Sequence, residues 1–76
     1  MFRRLVRFAI RKEDVNPIID TLSVYGAVKV VCMKDGKHYS VSLYCEANNM
    51  RKFMDDMFAL NEKGVSIHAM DILTRL

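Results

Sequence analysis

AVKVVCMKDGKHYSVSLYC, residues 27–45, is the stretch that decides the fold. Two runs of alternating apolar and polar residues flank Asp35-Gly36. Asp-Gly between such runs signals a two-residue hairpin, because a type I′ turn needs φ > 0 at both central residues. With Asp35 and Gly36 at the tip, Lys34 pairs with Lys37, and every other pairing follows from the turn. Cys32 then faces Tyr39, Val30 faces Val41 and Val28 faces Leu43, all on one side of the sheet. On the other side Met33 faces His38, Val31 faces Ser40, Lys29 faces Ser42 and Ala27 faces Tyr44. The turn alone sets this register, yet it sorts the side chains into an apolar face and a mixed polar face.

Outward from the hairpin, residues 1–10 (MFRRLVRFAI) read as a first strand. Phe2, Arg4, Val6, Phe8 and Ile10 share one face, the core face. Arg3, Leu5, Arg7 and Ala9 share the other. Residues 11–16 carry helix-start chemistry: Asp14 or Asn16 caps, and Pro17 fits a first turn, where its missing N–H is not needed. Val15, Ile18, Ile19, Leu22 and Tyr25 then recur at helical spacing, and Gly26 stops the helix. After Cys45 the period returns to that of a helix. Asn48 or Asn49 caps it. Met50, Phe53, Met54, Met57 and Phe58 form its apolar stripe, and Arg51/Asp55 and Lys52/Asp56 stand four apart on its wet side. Residues 61–64 end it. Residues 65–73 read as a fourth strand, with Val65, Ile67 and Ala69 inward and Ser66, His68 and Met70 outward. Asp71, Ile72 and Leu73 break the alternation, so a frayed end or bulge is expected there.

The order β-α-β-β-α-β with right-handed crossovers predicts an α+β, ferredoxin-like sandwich: a four-stranded antiparallel sheet, order 4-1-3-2, with two helices on one face. The 76 residues form one domain, residues 1–76. A chain this short buries only about 60% of its unfolded surface, and self-association is a common remedy. Its 51% hydrophobic content supports a real core, and the net charge of +3 permits an acidic partner without demanding one. No apolar run approaches the ~20 residues that span a bilayer. The arginines inside MFRRLVRFAI do not suit a signal peptide, so a cytoplasmic protein without membrane partners is expected.

The chemistry that the sequence lacks is as informative. The three glycines are each explained by a turn or a cap, so no phosphate loop is present. There is no CxxC and no HExxH. Cys32 and Cys45 both fall on the core face about 20 Å apart at ~3.3 Å per residue, too far for a disulfide, and read as small buried hydrophobes. The two histidines, His38 and His68, fall on the opposite face from the cysteines, which argues against a nucleophile–base pair. Strand one lies between them, which sets them about 10 Å apart at ~4.8 Å per strand and argues against a shared metal ion. No catalytic residue, cofactor or metal site is therefore expected, and the chain is not read as an enzyme.

What remains is the sheet face that no helix covers. It is expected to present Arg3, Leu5, Arg7, Lys29, Val31, Met33, His38, Tyr44, His68 and Met70, with Ser40 and Ser42 between them. Leu5, Val31, Met33 and Met70 would form an apolar patch with a basic rim, suited to another protein chain or a second copy. The same face could bind RNA or single-stranded nucleic acid through Arg3, Arg7, Lys29, His38 and Tyr44. It offers few aromatics for stacking, and HYSVSLY lacks the Gly-aromatic pattern of RNA-recognition domains. Strand two is expected at an edge, where another chain can pair. Effector binding at a dimer interface is a third reading.

DGKHYSVSLYCEANNMRKFMDDMFAL, residues 35–60, together with the closing strand, resembles the YbeD-like family of small bacterial proteins. That family shares the Gly-Lys/Asn turn, the aromatic-Ser-Val-Ser strand and a helix beginning just after it. The resemblance covers about half the chain; the first half matches only in its order of elements. It implies an α/β plait similar to amino-acid-binding regulatory (ACT-type) domains, with no enzyme activity, and carries no functional residues to transfer. The ligand loop of ACT-type domains follows strand one and usually contains glycine. Residues 11–14, RKED, contain none, which points away from a small-molecule ligand.

Overall fold

The computed structural model describes residues 3–75. The regular elements are β1 (Arg3–Arg11), α1 (Val15–Leu22), β2 (Lys29–Cys32), β3 (His38–Glu46), α2 (Met50–Glu62) and β4 (Ile67–Arg75). Short 3-10 turns at Lys12–Asp14, Ser23–Tyr25 and Ala47–Asn49 join them. The fold is α+β: four antiparallel strands in the order β2-β3-β1-β4, which reads 4-1-3-2 from the other edge, with two helices. Val6, Phe8 and Ile10 of β1, Val41, Leu43 and Cys45 of β3, Ile18 and Leu22 of α1, and Phe53, Met57 and Leu60 of α2 form one buried cluster. Both helices therefore pack on the same sheet face. Phe2, expected on that face, lies outside the described residues.

The hairpin pairs as its turn requires: Lys29 with Ser42, Val30 with Val41, Val31 with Ser40 and Cys32 with Tyr39. The turn itself is not the expected type I′. The Gly36 N–H donates to the Met33 carbonyl at 3.0 Å, and of the turn residues only Gly36 has positive φ, +70°. Asp35 thus keeps negative φ, and its Oδ1 accepts the N–H groups of Lys37 (2.8 Å) and His38 (3.1 Å). Side-chain acceptance of N–H groups two and three residues on is what aspartate contributes to turns. A four-residue loop closed by Met33 and His38 gives the same register as a two-residue loop closed by Lys34 and Lys37. The register therefore survives the change of turn.

The helices are amphipathic, but their stripes are narrower than the spacing predicts. Ile18, Leu22, Phe53, Met57 and Leu60 are buried, whereas Ile19, Met54 and Phe58 are exposed, Phe58 by 67%. Each of the three stands about 100° around its helix from a buried neighbour, past the edge of the sheet contact. Leu60, absent from the predicted stripe, closes the core in place of Phe58. Asp14 occupies the α1 cap position without a side-chain cap bond. Its Oδ2 instead accepts from Arg11 Nε and the Ser66 N–H, both at 3.2 Å, and so ties the α1 entry to the start of β4. The Arg51/Asp55 and Lys52/Asp56 pairs do not form ion pairs. Asp56 accepts the Tyr25 hydroxyl at 2.5 Å instead.

Two further expectations are corrected. Cys32 is exposed: β2 is an edge strand, and Cys32 is its last residue. Cys45 is buried as predicted, and both thiols are free. In β4, Ala69 has φ +52°, and the β1–β4 register shifts between Arg7 and Ala9. This is a β-bulge, two residues earlier than the expected irregularity at residues 71–73. Beyond it the strand's alternation is inverted. Met70 packs against the core, Ile72 pairs with Val6, and Asp71 and Leu73 pair with Arg7 and Leu5.

Candidate functional site: the open sheet face

The register arranges the uncovered face in rows, quoted from the β2 side. Lys29, Ser42, Arg7 and Asp71 lie side by side; the next row toward the β1 N-terminus is Tyr44, Leu5 and Leu73. Toward the β1 C-terminus come Val31, Ser40, Ala9 and His68, and then His38 beside Arg11. Arg3 pairs with Glu46 at the near end. No helix covers these residues. Val31 is 50% exposed, Tyr44 45% and Leu73 43%, and Leu5 between the last two is half-buried. Tyr44, Leu5 and Leu73 therefore form an apolar ridge across β3, β1 and β4, about 10 Å wide at the spacing of adjacent strands.

Of the residues expected on this face, Arg3, Leu5, Arg7, Lys29, Val31, His38, Tyr44 and His68 are there. Met33 is exposed beyond the end of β2, in the turn. Met70 is not there: the bulge turns it into the core and puts Leu73 on the face instead. Two acidic residues that the sequence reading left off, Glu46 and Asp71, sit beside Arg3 and Arg7, so the face is less basic than expected.

The histidines meet. Strand β1 does separate their strands, yet the ring centroids are 6.0 Å apart in an edge-to-face arrangement. Strand spacing governs backbones; the side chains cover the rest, His68 from beside Ala9 and His38 from the next row, beside Arg11. Each ring is held by one nitrogen. His38 Nδ1 lies 2.6 Å from Asp35 Oδ2, and His68 Nε2 lies 2.5 Å from Ser66 Oγ. The Lys37 backbone N–H and then the His38 ring hold the Asp35 carboxyl below the usual carboxylate range. Among the described residues, no group of three or more His, Cys, Asp or Glu side chains converges to hold a metal ion.

Arg3 and Tyr44 also line a cleft of about 410 Å³ at the near end of the sheet, with Glu46, Asn49 and residues 24–27. Behind it the Tyr25 ring meets Phe53 edge-on at 5.5 Å. Burial, and then the hydrogen bond to Asp56, push the Tyr25 hydroxyl pKa up to about 12. Burial likewise raises the Cys45 thiol.

No protein-family model, curated protein or solved structure matches this chain. No helix of the described residues is long and apolar enough to cross a membrane.

Proposed function

We propose that this chain is a small regulatory or adaptor domain that acts without catalysis, in the cytoplasm, by binding a protein chain through its open sheet face. A second copy of itself is one such partner. The observation that supports this is the uncovered Tyr44–Leu5–Leu73 ridge, rimmed by Arg3, Arg7 and Lys29. Apolar centres with polar rims favour protein contacts, and exposed tyrosine and arginine are frequent anchors there. The edge strands β2 and β4 offer unpaired backbone beside the same face. We further infer a ferredoxin-like plait of the ACT type, in keeping with the YbeD-like resemblance of residues 35–60.

Sedimentation over a wide concentration range tests the self-binding form. Association is expected, and Leu73→Asp or Leu5→Asp should abolish it. A strict monomer at high concentration removes that form and leaves a foreign partner. Capture of the foreign partner must then fail with the same two variants.

Nucleic-acid binding is the second reading. Its support is that Arg7 and Lys29 flank the same residue, Ser42, one row from Tyr44. Phosphate contacts make such binding fall steeply with salt. Absence of single-stranded RNA binding at low salt, or binding unaffected by Arg7→Ala, rejects it.

A further inference from the structure

The charges of the open face are ordered so that the face complements itself. In one row Lys29 and Asp71, both exposed, stand at opposite ends, with Ser42 and Arg7 between them. In the next row Tyr44 and Leu5 sit side by side on β3 and β1, and at the near end Glu46 and Arg3 do the same. We infer, resting on the open-face binding proposed above, that the partner is a second copy of this chain. The two copies stack face to face about a two-fold axis that runs parallel to the strands, between β3 and β1.

The axis follows from the strand order. In a two-fold interface residue i meets residue j and j meets i, and a residue on the axis meets itself. Rotation about this axis lays β2-β3-β1-β4 over β4-β1-β3-β2 of the second copy and keeps each row on its own row. Lys29 then opposes Asp71 of the second copy, Arg7 opposes Ser42, Tyr44 opposes Leu5 and Arg3 opposes Glu46, each contact made twice. At the far end His38 opposes Arg11, and each has a carboxylate beside it, Asp35 and Asp14 respectively.

Neighbouring axes set like charges together, which is how interfaces reject a wrong fit. Moved onto β1, the axis puts Arg7 on Arg7; moved onto β3, it puts Arg7 on Lys29. Turned across the strands along the Lys29–Asp71 row, it puts both cations on themselves. Stacked sheets with strands about 30° apart are an ordinary packing. Four strands at ~4.8 Å and the nine residues of β1 at ~3.3 Å give a face of about 500 Å² in projection once the short β2 is allowed for. Stable interfaces begin at roughly 600 Å² of accessible surface per partner, so a reversible dimer is expected.

The test is a charge exchange followed by sedimentation of the whole chain. In a dimer of either Lys29→Asp or Asp71→Lys alone, like charges meet twice, and self-association should weaken roughly tenfold or more. In an equimolar mixture of the two variants both pairs are again of opposite sign, so a heterodimer should form with an affinity within about threefold of the parent's. This rescue separates docking from folding, because a variant that merely unfolds is not restored by another. A mixture that fails to associate, or single variants that dimerise as the parent does, overturns this arrangement. If Leu5→Asp still abolishes such a dimer, the open face stands as the binding surface; if it does not, both readings fall. A strict monomer overturns the second copy as partner and leaves the face to a foreign chain.

Discussion

Ala69→Gly should stabilise this protein, and the sign of that effect tests the structure of β4. Ala69 is the single described non-glycine residue with positive φ, at +52°. For an L-residue that conformation costs roughly 1–2 kcal/mol, and glycine adopts it without penalty. Glycine also makes the unfolded chain freer, which returns about 0.4–1 kcal/mol. The net expectation is a gain of roughly 0.5–1 kcal/mol, or a Tm rise of about 2–8 °C for a domain of this length. In a regular strand the same substitution would instead cost about 0.5–1 kcal/mol. Urea and thermal unfolding of Ala69→Gly and Ala69→Val decide between the two. Val at positive φ is a severe outlier, so Ala69→Val should lose stability while Ala69→Gly gains it. A destabilised glycine variant beside a neutral valine variant would falsify the bulge. The inversion beyond it would fall as well, returning Met70 to the open face and removing Leu73. The same bulge makes Met70→Glu destabilising, through a charge placed against the core, while Leu73→Glu leaves stability nearly unchanged.

Three further outcomes follow from other elements. At Gly26 a Cβ would meet the Tyr44 carbonyl oxygen at 2.9 Å and φ is +154°, whereas at Gly36 and Gly64 it would meet nothing within 4 Å. In urea melts, Gly26→Ala should therefore cost roughly 2–4 kcal/mol against about 1 for either of the others. The Tyr25 hydroxyl, raised to about 12 from an ordinary value near 10, stabilises the fold fully below about pH 10, and that contribution is lost as pH rises through 12. Tyr25→Phe should accordingly be about 1 kcal/mol less stable at neutral pH, and its deficit should shrink between pH 10 and 12 in pH-dependent unfolding. Ellman's reagent should titrate one thiol rapidly in the native protein, Cys32, and the second only on unfolding, because Cys45 is buried and its thiol is held protonated. Two fast thiols would contradict the packing of β3.

The hairpin and the helix cores were legible because each depends on local periodicity. The register of residues 29–42 survived a wrong turn type, since the closing pairs 34/37 and 33/38 imply the same alignment. The widths of the helical stripes were less legible. Spacing marks Met54 and Phe58 as apolar, but burial depends on how far the sheet extends beneath α2, a tertiary quantity. The bulge did leave a mark. Val65 and Ile67 are odd-numbered and Met70 and Ile72 are even-numbered, and a change of parity inside one strand is what a single extra residue produces. Its position was hidden because alanine gives none of the usual signal for positive φ, which glycine or asparagine would have supplied.

The histidine pair was illegible for a different reason. Strand arithmetic gives backbone separations, about 10 Å across two steps, and is sound for backbones. Side chains on one face can converge across a strand: His68 stands beside the small Ala9, and His38 reaches in from the next row, beside Arg11. The relevant pattern is therefore a small residue on a central strand with a long polar residue beside it on one neighbour and another, one row on, on the other. That pattern cannot be read until the strand order is known, since residues 9, 38 and 68 belong to three separate strands. Ala9→Val isolates this dependence. A branched side chain there, beside His68, would crowd the space its ring leans into, so NOEs between the His38 and His68 rings should weaken while the hairpin register stays intact. Ring contacts unchanged in Ala9→Val would mean that the small side chain at that position is not what lets the rings meet.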